Sequence, residues 1–353
     1  MPVAKRAVII GGTGQIGTAC ARRLAQHGWD VVALSRGERE VPDQFGERGV
    51  EHRTVDRDDA GALRSALGGD VDLLIDVVAF DAEHASQLVE MHGQVGAIVA
   101  ISSASVYADA LGRTLDESAD EPSFPDLPVP IPETQTTVRP GPKTYSTRKV
   151  ALERVLLEQD FLPATVLRPC AVHGPGALRA REWWVIGRAL DQRPYVVLAC
   201  AGGTTFHPTS AANLAELVRL AGERPATRVL NCGDPDPPDV RTLIGLVAAA
   251  VDYHPVEVLL PGDPRGEVGA SPWTAPRPFV LAMTAAERDL GYRPVARYVD
   301  AVQETARWLI EHVKGRAWQK ALPPLAPAAE ALFPYEEEDA VVRTLLRGTA
   351  SRP

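Results

Sequence analysis

The pair Tyr145 and Lys149 has a spacing that could support proton transfer. The two residues are four apart in the segment Tyr-Ser-Thr-Arg-Lys, and residues four apart share one face of a helix. A tyrosine ordinarily titrates near pKa ~10, and a neighbouring ammonium group favours the phenolate and lowers that pKa. The chain holds only five lysines, so few chance matches to this pattern are available. The pattern predicts a general acid/base in which Tyr145 moves the proton.

A glycine-rich turn near the N-terminus directly follows a short apolar run. Its glycines Gly11, Gly14 and Gly17 have the spacing G-x-x-G-x-x-G, which lets the backbone turn tightly and lets a pyrophosphate approach a helix N-terminus. A glycine triplet alone is weak evidence, because glycine turns are common after strands. Here a strand pattern precedes it and a helix pattern follows, which favours a dinucleotide site over a purely structural turn. The predicted cofactor contacts from this turn are Gly11, Thr13, Gly14, Gln15, Ile16 and Gly17.

The end of the second predicted strand favours NADP over NAD. An enzyme that reads the ribose 2′-OH of NAD places an acidic residue there, whereas this chain has Ser35 and Arg36. A guanidinium can bind a 2′-phosphate through two hydrogen bonds; a surface arginine without a ligand is the alternative. Asp56, at the end of the third strand, either meets the adenine edge or caps the following helix.

Three serines, Ser102, Ser103 and Ser105, follow the fifth predicted strand. Ligands of doubly wound sheets bind outside the carboxyl ends of the strands. A serine hydroxyl at this place could therefore donate a hydrogen bond to a substrate oxygen. The alternative, for two of the three, is that the serines only satisfy the turn that leaves the strand.

The elements that would position these residues follow from an alternation of strand and helix patterns. Short β-branched apolar runs separated by helical spacing predict a parallel sheet covered by helices on both faces. In the first half, strands are predicted at 7–10, 31–34, 50–55, 73–78 and 97–101, and helices at 16–27, 59–67 and 82–92. Farther along, helices are predicted at 145–159, 183–190, 213–220 and 299–313, and strands at 165–167 and 228–231.

These patterns predict an α/β fold with a Rossmann-like doubly wound parallel sheet and a smaller C-terminal substrate-binding region. Residues 1–170, with returning segments near 210–235, form the dinucleotide-binding domain, and residues 171–325 mainly form the second region. The seven prolines of residues 109–142 predict an irregular segment that either covers the substrate or is a surface excursion. The tail 326–353 is either an amphipathic helix packed on the body or a frayed terminus, and we favour the frayed terminus.

The amino-acid composition disfavours several classes of protein and of binding partner. The 353 residues are 45% hydrophobic and 24% charged, which indicates a globular chain rather than a disordered one. The net charge of −9 disfavours a nucleic-acid partner. No apolar run is long enough for a membrane span, and the N-terminus lacks the pattern of a secretory signal. Four widely spaced cysteines without a C-x-x-C pair indicate reduced thiols in the cytoplasm and no metal site.

Together these residues resemble the extended short-chain dehydrogenase/reductases, the NAD-dependent epimerase/dehydratase family. The likeness extends from Val8 to about Val313 and includes the segments 167–176 and 290–294. Segments 75–80 and 101–107 are most similar to a divergent branch, in which some members have lost catalysis.

The resemblance implies a role for each matching residue. Ser103 is the expected catalytic serine, Tyr145 the acid/base, and Lys149 its partner and a ligand of the nicotinamide ribose. The loop that carries Val78 and Ala79 is expected to flank the cofactor. Apart from the resemblance, Ser105, His173 and His207 are candidate substrate contacts because of their positions in the chain, and for the two histidines a hydrogen-bonded structural role is the favoured alternative.

Two departures from the family pattern reduce the range of expected reactions and substrates. Ala104 and Ser105 stand where sugar-nucleotide 4,6-dehydratases carry an Asp-Glu pair, so water elimination is not expected. Residues 204–208 lack the arginine of nucleotide-sugar members, which puts a nucleotide-diphosphate substrate in doubt unless Arg179, Arg181 or Arg188 replaces it.

The expected function is hydride transfer between NADP(H) and a carbonyl or secondary alcohol of a polar, sugar-like or small biosynthetic molecule. One alternative is an epimerase that retains NAD(P). A second is a non-catalytic, dinucleotide-binding regulatory protein, which the intact Ser103, Tyr145 and Lys149 disfavour. A small-molecule substrate is expected, without nucleic-acid or membrane partners, and a homodimer is an open alternative to a monomer.

Overall fold

The computed structural model describes residues 4–117 and 122–350 of the chain. The strands are β1 (Arg6–Ile10), β2 (Asp30–Ser35), β3 (Glu51–Thr54), β4 (Leu73–Asp76), β5 (Ile98–Ile101), β6 (Ala164–Pro169), β7 (Ala171–His173), β8 (Tyr195–Leu198), β9 (Pro208–Ser210), β10 (Arg228–Cys232) and β11 (Val256–Leu259). The helices are α1 (Gln15–Gln26), α2 (Gln44–Glu47), α3 (Ala60–Leu67), α4 (Ala82–Val89), α5 (Tyr145–Glu158), α6 (Trp183–Leu190), α7 (Ala211–Glu223), α8 (Val240–Ala250), α9 (Thr284–Leu290), α10 (Tyr298–Val313), α11 (Trp318–Ala321), α12 (Ala329–Leu332) and α13 (Tyr335–Ala350). Within the described ranges, no helix is both long and apolar enough to cross a membrane.

Seven parallel strands form the central sheet, in the order β3-β2-β1-β4-β5-β6-β10. The order reverses beside β1, which makes that position the topological switch point of a doubly wound sheet. Because all the strands run in the same direction, the turns after β1 to β5 lie along one edge. The predicted Rossmann-like fold is confirmed, and this edge carries most of the predicted site residues.

Both faces of the sheet are covered by helices that bury an apolar stripe. On one face α1 and α7 pack together, and they contribute Leu24 and Leu217 to a fully buried cluster with Ile75 of β4. The other face holds α3, α4 and α5, with Leu63 and Leu152 in a second cluster. Burial of apolar surface on both faces stabilises the sheet and explains the continuous apolar runs of its strands.

The chain divides into two compact units. The first unit comprises Met1–Val172, His207–Pro235 and Val280–Arg297, and the second comprises His173–Phe206, Asp236–Phe279 and Tyr298–Pro353. Residues 280–297 therefore belong with the sheet, although the sequence analysis assigns them to the second region. The reason is packing: Ala286, Leu290 and Tyr292 are buried in the same cluster as α1 and α7.

The second unit has a core of its own around Trp183, Trp184 and Trp273. The elements of this unit that are absent from the sequence-based prediction include α8 and the parallel pair β8 and β11. The start of α8 has a readable signal, because the side chain of Asp239 accepts a hydrogen bond from the backbone of Thr242 (2.8 Å) and caps the helix.

The C-terminal tail packs on the second unit, so the preference for a frayed terminus is wrong. Glu338 of α13 accepts a hydrogen bond of 2.6 Å from Arg188 of α6, and both side chains are fully buried. The Arg188 guanidinium lies 3.6 Å from the Trp184 ring centre. Breaking a buried ion pair costs several kcal/mol, so this contact anchors the tail. Arg188 is thereby also excluded as a diphosphate ligand.

The proline-rich segment is held in place by one buried carboxylate, Asp109. Asp109 accepts hydrogen bonds from the backbones of Leu111, Arg113 and Asp126 and from the Arg113 side chain. Burial alone would raise the pKa of Asp109, but these hydrogen bonds hold it at about 2. Farther on, Ile131 is fully buried and pairs with Leu281. The described part of the segment is therefore an ordered part of the first unit.

Candidate active site

The glycine turn after β1 has the geometry that the spacing predicts. Gly11 adopts a φ of 84°, which glycine tolerates best, and Gly11 and Gly12 both donate to the carbonyl oxygen of Leu34 (2.9 Å each). A Cβ on Gly17 would lie 2.2 Å from the carbonyl oxygen of Gly11, so no side chain fits there. Gly14 is the N-cap of α1 and brings no side chain to that end of the helix. An anion can therefore approach the helix N-terminus.

A cavity of about 340 Å³ opens beside this turn, at the carboxyl ends of β1, β2 and β3. The predicted cofactor residues that line it are Gly11, Thr13, Gly14, Ser35, Arg36, Asp56 and Val78. Further lining residues, which the sequence analysis did not single out, include Arg39, Arg57, Asp58 and His84. A cavity of this volume at a switch point, facing a helix N-terminus, fits the adenosine-phosphate half of a dinucleotide.

The charges at the end of β2 are more mixed than the sequence analysis expects. Arg36 pairs with Glu38 (2.9 Å), and both side chains are largely exposed. The Ser35 hydroxyl shares a hydrogen bond of 2.9 Å with Nε2 of His52. Nη1 of Arg39 lies 3.8 Å from the place that a Cβ on Gly14 would occupy, and no carboxylate among the described residues pairs with it. Two guanidinium groups and one carboxylate therefore face this end of the cavity.

Several predicted cofactor residues lie outside the cavity lining. Gln15, Ile16 and Gly17 form the first turn of α1, where Ile16 packs against the core and Gly17 faces the turn backbone. Ala79 is fully buried, and its carbonyl oxygen accepts a hydrogen bond from Lys149. These residues therefore lie next to the cavity without lining it.

Asp56 is not the cap of α3, so that alternative is wrong. Its carboxylate accepts a hydrogen bond from the backbone of Asp58 (3.1 Å), and it lines the cavity. The cap is Asp59, which accepts from the backbone of Ala62 (2.9 Å). The Asp56 side chain therefore stays at the cavity, where the adenine interpretation places it.

Asp76 fixes the loop that follows β4, and the sequence analysis gives it no role. One oxygen of this fully buried carboxylate accepts hydrogen bonds from the backbones of Val78 (2.9 Å) and Ala79 (2.6 Å). The other oxygen accepts from Arg57 at 2.5 Å, and Arg57 also donates to Gln87 (2.8 Å). A carboxylate at the end of an otherwise apolar strand is the signal that could have identified it.

Ser103, Tyr145 and Lys149 come together at the carboxyl end of β5. Tyr145 is the first residue of α5, whose N-cap Thr144 forms a reciprocal capping box with Thr147. The Ser103 hydroxyl lies close enough to the Tyr145 phenol to influence its pKa, and Nζ of Lys149 lies 5.7 Å from the centre of the phenol ring. The fold thus brings together a hydroxyl, a phenol and an amine from residues up to 46 positions apart in the sequence.

The electrostatics of this cluster differ from the expectation. Lys149 is buried and donates to the carbonyl oxygens of Ala79 (2.6 Å) and Ile101 (2.8 Å). Burial lowers the pKa of Lys149 to about 8. Burial raises the pKa of Tyr145, the Ser103 hydroxyl opposes this rise, and the charge of Asp116 adds to it. The ammonium group points at two carbonyls instead of the phenol, so it does not depress the pKa of Tyr145.

The three predicted substrate residues are engaged in other contacts. Ser105 accepts a hydrogen bond of 2.8 Å from the Ser146 hydroxyl. His207 is buried, with one ring nitrogen 2.7 Å from the carbonyl oxygen of Asp234 and the other accepting from the backbone of Leu281 (3.0 Å). Both ring nitrogens of His207 bind backbone groups, which favours the structural alternative for this residue.

His173 belongs to the second unit and also departs from the expectation. Its ring is only 2% exposed and packs edge-on against Tyr298, with 4.7 Å between the ring centres. So little exposed surface favours the structural alternative for this residue too.

The comparison with protein families agrees with this geometry. The model of the NAD-dependent epimerase/dehydratase family matches residues 7–233, which include the glycine turn and the Ser103–Tyr145–Lys149 cluster. The chain belongs to this family. The resemblance to the extended short-chain dehydrogenase/reductases is thereby confirmed, and so is an enzyme class that depends on a nicotinamide dinucleotide.

Individual relatives match only parts of the chain. A bifunctional tRNA 5-methylaminomethyl-2-thiouridine biosynthesis protein of Burkholderia cenocepacia is 43% identical over 70 residues, which are 20% of this chain and 11% of the relative. The chloroplast stem-loop binding protein of 41 kDa b of Arabidopsis thaliana is 25% identical over 206 residues, 55% of this chain and 49% of that protein. The chain thus spans half or less of the length of these curated relatives.

Solved structures extend the likeness of the fold. The UDP-glucuronic acid 4-epimerase of Bacillus cereus, in complex with NAD, has a TM-score of 0.62 and 17% sequence identity. The match covers 86% of this chain and 98% of that one. At this identity the likeness concerns the fold alone.

Proposed function

We propose that the protein is an NADP(H)-dependent oxidoreductase that acts on a carbonyl or secondary alcohol of a small polar molecule. The observation that carries the proposal is the Ser103–Tyr145–Lys149 cluster, which lies on the same sheet edge as the cavity that fits the adenosine-phosphate half of a dinucleotide. A bound nicotinamide would supply or accept the hydride. The chain itself would bind the substrate oxygen and move a proton to or from it.

Each residue of the cluster has a distinct task in this proposal. The raised pKa of Tyr145 keeps the phenol protonated at neutral pH, so that it can donate a proton to a carbonyl oxygen. Ser103, whose hydroxyl lies close enough to influence the pKa of the phenol, orients the same oxygen. An ammonium group has three N–H donors, and Lys149 uses two of them on carbonyl oxygens. The third remains available for a hydroxyl of the nicotinamide ribose.

The cofactor preference follows from the end of β2. Arg36 and Arg39 both line the cavity and can bind a 2′-phosphate by charge-assisted hydrogen bonds. Glu38 pairs with Arg36 in the free protein. Because this pair has to break before Arg36 can bind a 2′-phosphate, it reduces the preference for NADP over NAD. NADP is therefore the favoured cofactor, with NAD the weaker ligand.

An epimerase with retained nucleotide is the second candidate. The family description and the 4-epimerase with the same fold favour it, and it would use the same cluster to oxidise and re-reduce one carbon. The stem-loop binding relative points to a third possibility, a nucleic-acid partner. The net charge of −9 disfavours that partner.

The first experiment identifies the nucleotide and the proton donor together. The purified protein is denatured, and any released nucleotide is identified by mass spectrometry. NADPH oxidation is then measured with a panel of aldehydes, ketones and ketosugars for the wild type and for Tyr145→Phe. We expect Tyr145→Phe to lose nearly all turnover and to keep its affinity for NADPH, because only the phenolic proton is removed.

The matched control is Tyr253→Phe, since the Tyr253 hydroxyl only donates to the backbone of Arg193 in the second unit. This variant should keep wild-type turnover. Tyr145→Phe with more than a few per cent of the wild-type rate would refute the acid/base role. Co-purified NAD without net consumption of added NADPH would instead favour the epimerase.

A further inference from the structure

Asp116 brings a carboxylate from the proline-rich segment to the start of α5. It lies on a 3₁₀ turn, Leu115–Glu117, and its Oδ2 accepts a hydrogen bond of 2.7 Å from the backbone of Ser146. Ser146 directly follows Tyr145 and is the second residue of α5. The first N–H groups of a helix have no partner within the helix, and the helix dipole favours an anion there. Asp116 therefore satisfies one of these groups beside the phenol-bearing residue.

The first turn of α5 is held from a second direction as well. The Ser146 hydroxyl donates to the carbonyl oxygen of Ser105 (2.8 Å), which lies in the 3₁₀ turn Ala104–Val106 after β5. The N-cap of that turn is Ser103, whose hydroxyl lies close enough to Tyr145 to influence the pKa of its phenol. Asp116 and the turn after β5 thus fix the backbone of Ser146 from two segments, and this fixes the position from which the Tyr145 side chain extends.

Among the residues that the structure describes, few charged groups surround Tyr145. Lys149 lies one turn farther along α5, 5.7 Å from the phenol ring centre, and its ammonium is bound to carbonyl oxygens. Phe80 packs on the phenol ring (5.6 Å between centres), and Arg148 lies 4.1 Å from the Phe80 ring centre. Arg148 is paired with Asp81 (2.7 Å). Within the part of the chain that the structure describes, Asp116 is the carboxylate whose charge acts on the phenol, and it adds to the rise in the pKa of Tyr145 that burial causes.

We propose that Asp116 is a positioning residue for Tyr145: it fixes the first turn of α5 through Ser146 and places a negative charge beside the phenol. The inference rests on the proposed function, in which Tyr145 is the proton donor. The proline-rich segment thereby acts on the proposed reaction, because its Asp116 carboxylate favours the protonated form of the Tyr145 phenol. Reduction of a carbonyl requires that protonated form.

Two substitutions separate the hydrogen bond from the charge. Asp116→Asn keeps an oxygen that can accept from Ser146 but removes the charge, whereas Asp116→Ala removes both. The pKa of Tyr145 is measured by NMR with ¹³C-labelled tyrosine, and its signal is assigned by its loss in Tyr145→Phe. We expect Asp116→Asn to lower the pKa of Tyr145 by about 0.5 units, the scale of one carboxylate at a partly exposed site.

The rate of hydrogen exchange at the Ser146 amide reports whether this amide still donates its hydrogen bond to residue 116. It should be as slow in Asp116→Asn as in the wild type and faster in Asp116→Ala, because only the second variant loses the acceptor. The control is Glu158→Gln at the other end of α5, where the side chain is 70% exposed. It should change neither the pKa of Tyr145 nor the exchange at Ser146.

An unchanged or raised pKa of Tyr145 in Asp116→Asn would overturn the electrostatic half of the proposal, and unchanged exchange in Asp116→Ala would overturn the positioning half. Neither measurement needs a substrate. If Tyr145→Phe proved fully active, the proposed function would fail while the NMR and exchange results could still be read on their own.

Discussion

The buried carboxylate of Asp76 allows a sharp test of how the cofactor cavity is built. Asp76 has two separate sets of partners: Arg57 on one oxygen, and the backbones of Val78 and Ala79 on the other. Asp76→Asn removes the charge but keeps an acceptor for the loop. Asp76→Ala removes both. The two variants therefore separate the ion pair from the fixing of the loop.

The expected loss of stability follows from the burial of the pair. Asp76 is fully buried and Arg57 is 8% exposed, so removal of the carboxylate leaves a largely buried guanidinium without its counter-charge. Arg57 keeps its hydrogen bond to Gln87. This places the cost at about 3 kcal/mol, the lower end of the range for breaking a buried ion pair. Both variants should lose about this much free energy of unfolding.

The expected loss of nucleotide affinity concerns Asp76→Ala alone. Val78 lines the cavity, and a Cβ on Gly11 would lie 2.7 Å from its side chain, so the loop packs directly on the glycine turn. Without the Asp76 oxygen, Val78 has to be ordered when the nucleotide binds. Ordering one residue costs about 1–2 kcal/mol, which corresponds to about tenfold weaker binding of NADPH.

Urea unfolding followed by far-UV circular dichroism measures the stability, and isothermal titration calorimetry with NADPH measures the affinity. Asp58→Asn is the matched control, because Asp58 also lines the cavity but its side chain is 74% exposed. It should change the free energy of unfolding by less than about 0.5 kcal/mol. A loss below about 1 kcal/mol in Asp76→Asn would refute the argument from the buried pair. Wild-type affinity in Asp76→Ala would refute the argument from the loop.

Two further predictions concern charge. Wild-type protein should bind NADPH about tenfold more tightly than NADH; Arg36→Ala should remove most of this preference, and Glu38→Gln should increase it, because Glu38 no longer competes for Arg36. Equal affinity of the wild type for the two nucleotides in calorimetry would contradict this. Lys149 has a pKa of about 8 in the folded chain against an ordinary 10.5, so between these pH values the unfolded chain binds more protons. The wild type should therefore gain about 3 kcal/mol of stability as the pH rises through this window, and Lys149→Met should lack that gain. Urea unfolding at about pH 7 and about pH 10 measures how the free energy of unfolding of each protein changes with pH. An equal change in the wild type and in Lys149→Met would show that burial does not lower the pKa of Lys149.

The features that the sequence predicts well are those that depend on neighbours along the chain. The glycine turn needs a strand before it and a helix after it, and both were readable from local periodicity. Tyr145 and Lys149 share a helix face because they are four residues apart. The alternation of strands and helices implied a parallel sheet, since parallel strands need a crossover between them. The fold class and the members of the Ser103–Tyr145–Lys149 cluster were therefore available without coordinates.

The partners of these residues were decided by tertiary structure. Lys149 binds the carbonyl of Ala79, 70 residues away, and this contact takes its ammonium away from the phenol that the local spacing suggests. The sequence left both a substrate contact and a structural role open for His207, and the nearby backbones of Asp234 and Leu281 favour the structural role.

The same holds for the carboxylates and for the tail. Asp116 accepts a hydrogen bond from the backbone of Ser146, 30 residues away in the sequence. Glu338 accepts one from Arg188, 150 residues away. Local rules of propensity and periodicity act over a few residues, whereas a buried ion pair or cap exists only where the packed elements bring its two members within hydrogen-bonding distance. The sequence determines which groups are present, and the order of strands in the sheet together with the packing of the helices decides which of them meet.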